Sequence, residues 1–192
     1  MKTTALIVVA GMAAVASAQT MTISWMVSDT GNGDGIIEPG ESALLSMWAH
    51  MDPEATGFAG SIYDILGTGN FDTGTVDVYD NLLDGLTDDG TLVAGNDITG
   101  VESFQLPPAF NGDFIADNPI ELYNITWTPN DYSGRTVSGG TNHINFDVYT
   151  DSFGTSVPYT GDVSGFSFDV VPAPASVALL GLGGLVAVRR RR

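Results

Sequence analysis

From Met21 the chain alternates, with Met21, Ile23, Trp25 and Val27 on one side of an extended backbone and Thr22, Ser24 and Met26 on the other. Side chains of a strand point to opposite faces in turn, so this spacing predicts a strand with one buried face. The period returns over residues 120–128, where Tyr123, Ile125 and Trp127 align, and over 143–150, where Ile144, Phe146 and Val148 do. Residues 43–50 are apolar on both faces, as a central strand would be, and further strands are predicted at 58–66, 75–79, 101–106 and 166–171. The breaks, among them "LLDGLTDDG" and "PPAFNGD", are rich in Gly, Asp, Asn and Pro, which supply the backbone angles that tight turns need. No stretch of ten or more residues carries a helical period, and "NLLDGL" is at most one helical turn. Eight or nine short strands in about 150 residues predict one all-β domain, an antiparallel β-sandwich, with barrel closure as the alternative.

Cysteine is absent, so no disulfide staples this domain and no thiol chemistry is available to it; hydrophobic packing must hold the fold. The net charge of −17 understates the acidity of the body, because five of the six bases lie near the ends. Between Gln19 and Val171, Arg135 stands alone against 23 acids, a net charge of −22. A surface of that sign repels nucleic acid and anionic lipid and attracts cations, so nucleic acid is excluded as a partner.

The two ends read as addresses. Lys2, the apolar run 5–15 and the small triplet Ala16-Ser17-Ala18 have the layout of a signal peptide, residues 1–18, cut by signal peptidase before Gln19. The domain then occupies 19–170, outside the cell. At the far end the uninterrupted apolar run 177–188 is 12 residues long. As a helix it would rise about 18 Å at ~1.5 Å per residue, short of the ~30 Å of hydrocarbon in a bilayer. Arg189, Arg190, Arg191 and Arg192 would stay on the cytoplasmic side.

Residues 171–192 resemble a PEP-CTERM sorting signal: a proline dipeptide motif (Val171-Pro172-Ala173-Pro174), a short Gly- and Leu-rich span (179–185) and a terminal arginine cluster. Ala173 stands where that family usually has Glu. The resemblance implies transient membrane insertion of the tail, cleavage near Pro-x-Pro by an exosortase-type enzyme, and delivery to the surface or extracellular matrix of a bacterium, often beside exopolysaccharide. An ordinary short membrane anchor is the other reading, and both leave the body outside.

The densest polar constellation is "DTGNGDGIIEPGE", residues 29–41. Closely spaced oxygens on a Gly-rich loop suit calcium, which takes six to eight of them. Against the calcium-loop pattern of an EF-hand, Asn32, Asp34, Gly35 and Glu41 fall in register, but Thr30 takes the first position, Asp29 is one residue out, and Pro39 would break an exiting helix. The stretch is more similar to the "NGDG…PGE" segment joining the first strands of secreted bacterial sandwich domains. Two readings stand: Asp29, Asn32, Asp34 and Glu41 ligate calcium, or their oxygens cap the loop's own amides. Asp84, Asp88 and Asp89 read as a solvated turn, and Asp113 and Asp117 likewise.

His50 and His143 belong to no nucleophile or zinc motif, and His143, Asn145 and Asp147 share the polar side of one strand. No catalytic residue is assigned. Trp25, Trp48, Trp127, Tyr79, Tyr123 and Tyr159 read as core, Trp127 foremost, or as a sugar-stacking platform if several share an open face. The expected function is a non-catalytic surface or matrix protein. A carbohydrate-binding module holding extracellular polysaccharide is the second reading, and a polysaccharide hydrolase the third.

Overall fold

The computed structural model describes residues 21–83, 85–107, 109–110, 117–158 and 163–173, with the side chain of His143 excepted. The leader, Asp84, Asp113, Tyr159, Pro174 and Arg189 to Arg192 therefore lie outside the described residues. In chain order the described strands are β1 (Met21–Asp29), β2 (Ile36–Ile37), β3 (Ala43–Met51), β4 (Gly57–Gly69), β5 (Gly74–Asn81), β6 (Leu86–Asp88), β7 (Thr91–Leu92), β8 (Ile98–Phe104), β9 (Ile120–Pro129), β10 (Arg135–Tyr149), β11 (Ser156–Pro158) and β12 (Phe166–Val170).

They form an antiparallel-rich β-sandwich. One sheet has four strands in the order β1-β3-β9-β5. The other runs β2-β12-β10-β4-β8-β6, with β11 beside β10 and β7 beside β8. The lone parallel strand pair among them joins β2 to β12. Each of the eight strands expected from the sequence is present. Those missed are β2, β6, β7 and β11, two or three residues each and too brief to show a period, and the first half of β10 (135–142), where "VSGGTN" breaks the apolar alternation. "NLLDGL" is not a helical turn at its described positions; Leu86 opens β6.

Aromatic rings bridge the sheets. Trp127 of β9 is fully buried, stacks on Phe71 at 6.2 Å between centroids, meets Phe168 of β12 edge-on at 5.3 Å, and donates its indole N–H to the Phe71 carbonyl at 2.9 Å. Tyr63 of β4 stacks on Phe146 of β10 at 5.2 Å and meets Tyr123 of β9 edge-on at 6.3 Å. Trp25 of β1 packs against Phe166 at 5.2 Å and donates to the Thr141 hydroxyl at 3.0 Å. The two indole rings are buried with their polar tips paired to acceptors. Gly74 belongs to the same packing: a Cβ there would run into the Trp127 ring. Contrary to the simple alternation, Ile144 is exposed, because an irregularity in the β10–β4 register between His143 and Asn145 shifts the face of the strand.

Candidate functional site

The 29–41 loop leaves β1 and returns through β2 to β3. Asp29 is buried, and its carboxylate is a hub: Oδ1 accepts the amides of Gly31 at 2.7 Å and Gly33 at 2.8 Å, and Oδ2 that of Gly35 at 2.8 Å. Gly33 and Gly35 have φ of 80° and 77°, the left-handed region that turns successive amides inward onto one acceptor. Asn32 Oδ1 accepts the Asp34 amide, Asp34 Oδ1 the Ile36 amide, and Glu41 Oε2 the Glu38 amide. Of the two readings of this stretch, the geometry is that of self-capping. Among the described residues no three His, Asp or Glu side chains form a group able to hold a metal ion. Hydrogen bonds from Gly33 first, then Gly35 and Gly31, hold the Asp29 carboxyl below its usual range, against an opposing effect of burial.

The loop also sets where the chain leaves the sandwich. It places Ile37, fully buried, beside Val170, and the Val171 amide donates to the Ile37 carbonyl at 2.9 Å. Val171 thus lies against the fold, Pro172 and Ala173 are past the last strand, and the rest of the tail is outside the described residues.

The remaining candidates are dispersed. Asp88 caps the Gly90 amide on an exposed turn, Asp89 accepts the Asn81 amide, and Asp117 is exposed. His50 is exposed on β3. Trp25, Tyr123 and Trp127 are core, and Tyr79 is half-buried against it. Of the six aromatics named from the sequence, Trp48, half-buried, is the one the strand alternation places on an outer face, so the described ones form no sugar-stacking platform.

A feature missed from the sequence lies on the outside of the large sheet. In β8 and just beyond it, Val101, Ser103 and Gln105 are buried, while Phe104 and Leu106 are 52% and 49% exposed. From Ser103 to Leu106 the usual pattern is reversed: Ser103 and Gln105 face the core and Phe104 and Leu106 face water, whereas earlier in β8 Ile98 and Val101 are buried and Glu102 is exposed. The Ser103 hydroxyl lies 2.8 Å from that of Ser61, and the backbone carbonyl of Gln105 accepts the Tyr149 hydroxyl at 2.6 Å. On β6, Leu86 lies opposite Phe104 and is 74% exposed; on β4, Gly60 lies opposite Phe104, with Ile62 nearby at 40%. A Cβ on Gly60 would come within 2.7 Å of the Ser103 carbonyl, so the residue leaves a notch in the sheet. The resulting groove, about 380 Å³, is walled by Leu86, Phe104 and Ile62 on one side and by Asn145 and Asp147 of β10 on the other, with Glu102 along it.

At one end of the groove two turns add more aromatic surface. Phe153, 79% exposed, tops the turn between β10 and β11, which Asp151 pins by accepting the amides of Phe153, Gly154 and Thr155 at 2.8, 3.0 and 3.1 Å. Phe110, 69% exposed, sits on the loop after β8, tied to that turn by the Ala109 amide donating to the Ser152 carbonyl at 2.8 Å.

No protein-family model matches the chain, and comparison with curated proteins gives no match. Solved structures do match. The seventh ScaB type I cohesin from Pseudobacteroides cellulosolvens aligns with a TM-score of 0.59 at 10% identity, covering 81% of this chain and 94% of that one. A cohesin module from a Clostridium perfringens family 33 glycoside hydrolase aligns at 0.52 and 12% identity, covering 81% and 98%. The likeness is one of fold. It spans nearly the whole of both cohesins, so the body of this chain corresponds to a complete module of that architecture.

Proposed function

We propose that the chain is an exported, non-catalytic module of a bacterial cell surface or extracellular matrix, which holds a protein partner on the outer face of its large sheet. The reversed stretch from Ser103 to Leu106, with Leu86 beside it, carries this reading. Leaving Phe104, Leu106 and Leu86 about half or more exposed forgoes a corresponding part of the roughly 1.5–3 kcal/mol that full burial of each would give, and a contiguous exposed apolar patch is the mark of an interaction site. A conflict between local pattern and burial is expected where function rather than folding sets the sequence. The fold likeness to cohesin modules supports the same class of role.

In this reading residues 1–18 direct export, and the tail from Val171 to Arg192 is read by an exosortase-type enzyme that anchors or releases the body.

The partner-binding claim is tested by placing a photo-crosslinking amino acid at position 104, or at Ser46 on the small sheet, of the full chain in its host. Discrete adducts from 104 and none from 46 are expected; equal labelling at both, or none at 104, contradicts the claim. The sorting claim is tested by ending the chain at Ala173. The shortened protein should leave the surface fraction for the medium, and unchanged location and size would remove the tail's role as an address.

A further inference from the structure

The groove and its aromatic end carry one class of charge and lie at one end of the molecule, and together these features describe a partner. Around Leu86, Phe104 and Ile62 stand Asp88, Glu102 and Asp147, and among the described residues no Lys or Arg lines the groove. The one base among the described residues, Arg135, opens β10 at its opposite end, where it pairs with Asp131 at 2.9 Å and donates to Thr73 and Ser133. The chain leaves the sandwich at that same opposite end, since Arg135 is in register with Val170. Phe153 lies four residues past Tyr149, the last residue of β10, and the fourteen steps of that strand cover about 45 Å. A body tethered through its C-terminal tail therefore presents Phe153, Phe110 and the groove away from the tether.

Resting on the protein-binding reading above, we propose the chemistry and direction of that partner: a protein segment outside the cell that inserts an apolar side chain beside Phe104, over the Gly60 notch, with Lys or Arg on either side to meet Glu102 and Asp147. The anchors are preorganised. Asp151 fixes the turn below Phe153, and strand pairing fixes the backbone at Phe104 and Leu86, so little backbone entropy is lost on binding. The chain's own membrane is disfavoured as the occupant by the distance from the tether and by the acidity of the rim, which repels anionic lipid.

The test uses the exported protein as its host processes it and two short synthetic peptides that share a Phe-Leu centre, flanked by Lys in one and by Glu in the other. The Lys peptide should bind, more weakly as salt rises, and Leu86→Ser with Phe104→Ser should weaken it about tenfold or more. Glu102→Gln with Asp147→Asn should weaken it more than the charge-matched Asp80→Asn with Glu121→Gln on the small sheet. If the Glu peptide binds equally well and both peptides respond to the Leu86 and Phe104 changes, the basic chemistry is overturned while the docking face stands. If the Lys peptide ignores those changes, its attraction is diffuse charge, and both this inference and the docking face fail. Recruitment of the protein to phosphatidylcholine vesicles through Phe110 and Phe153 would overturn the inference in favour of a bilayer.

Discussion

Asp29 and Trp127 show how a single side chain sets the local fold. Asp29 gathers three amides, a task that Asn performs less well because it lacks the charge and has one acceptor oxygen. Asp29→Asn should lower the thermal midpoint and loosen the Val171–Ile37 contact, seen as faster exchange of the Val171 amide. Because both Asp29 oxygens, Asn32 Oδ1, Asp34 Oδ1 and Glu41 Oε2 already accept amides, millimolar calcium added after chelation should leave the melting midpoint of the wild-type protein unmoved; a rise would reveal a stabilising ion. Trp127→Ala removes a fully buried ring and should cost about 3–5 kcal/mol in urea unfolding. Phe153→Ser, at a ring 79% exposed, should stay within about 0.5 kcal/mol of wild type.

At the scale of elements, strands with a regular polar-apolar alternation were legible, because burial of one face is what imposes that pattern. Residues 21–27 and Tyr123, Ile125 and Trp127 on 120–128 are examples. β8 was legible as a strand, but its orientation was not. Hydrophobicity at 104 and 106 alone assigns Phe104 and Leu106 to the core and Ser103 to water; the reverse is found because buried Val101 shares the face of Ser103, where Ser61 on the next strand offers the Ser103 hydroxyl a partner. Nothing local announces that pairing, since β4 and β8 are about forty residues apart in sequence. The Asp29 loop was legible as a constellation, whereas the turning of its amides onto the Asp29 carboxylate depended on the positive φ of Gly33 and Gly35. Ser61→Ala tests the β8 account: it removes the side-chain partner of a buried hydroxyl and should cost about 1–3 kcal/mol.

For the whole molecule, pH acts at two limits. Asp29, Asp131 and Asp151 are all held below the ordinary carboxylate range: Asp29 chiefly by the Gly33 amide, Asp131 by the Ser133 hydroxyl and amide, Asp151 by the Thr155 hydroxyl and amide. Their contribution to stability is complete above the unfolded value of about 3.9 and is lost as pH falls below it through the lower native values. Tyr63 and Tyr123 are raised by burial, so their contribution is complete below about pH 10 and is lost as pH rises beyond it. Unfolding midpoints across pH should form a plateau with both an acid and an alkaline fall. The central claim is that the apolar residues of the outer face serve a partner and not the fold. Urea unfolding of the Leu86→Ser/Phe104→Ser double variant tests it most directly. Stability within about 1 kcal/mol of wild type is expected, as for exposed sites. A loss of about 3 kcal/mol or more, the range of core truncations, would mean that these side chains hold the sandwich together and would contradict the account.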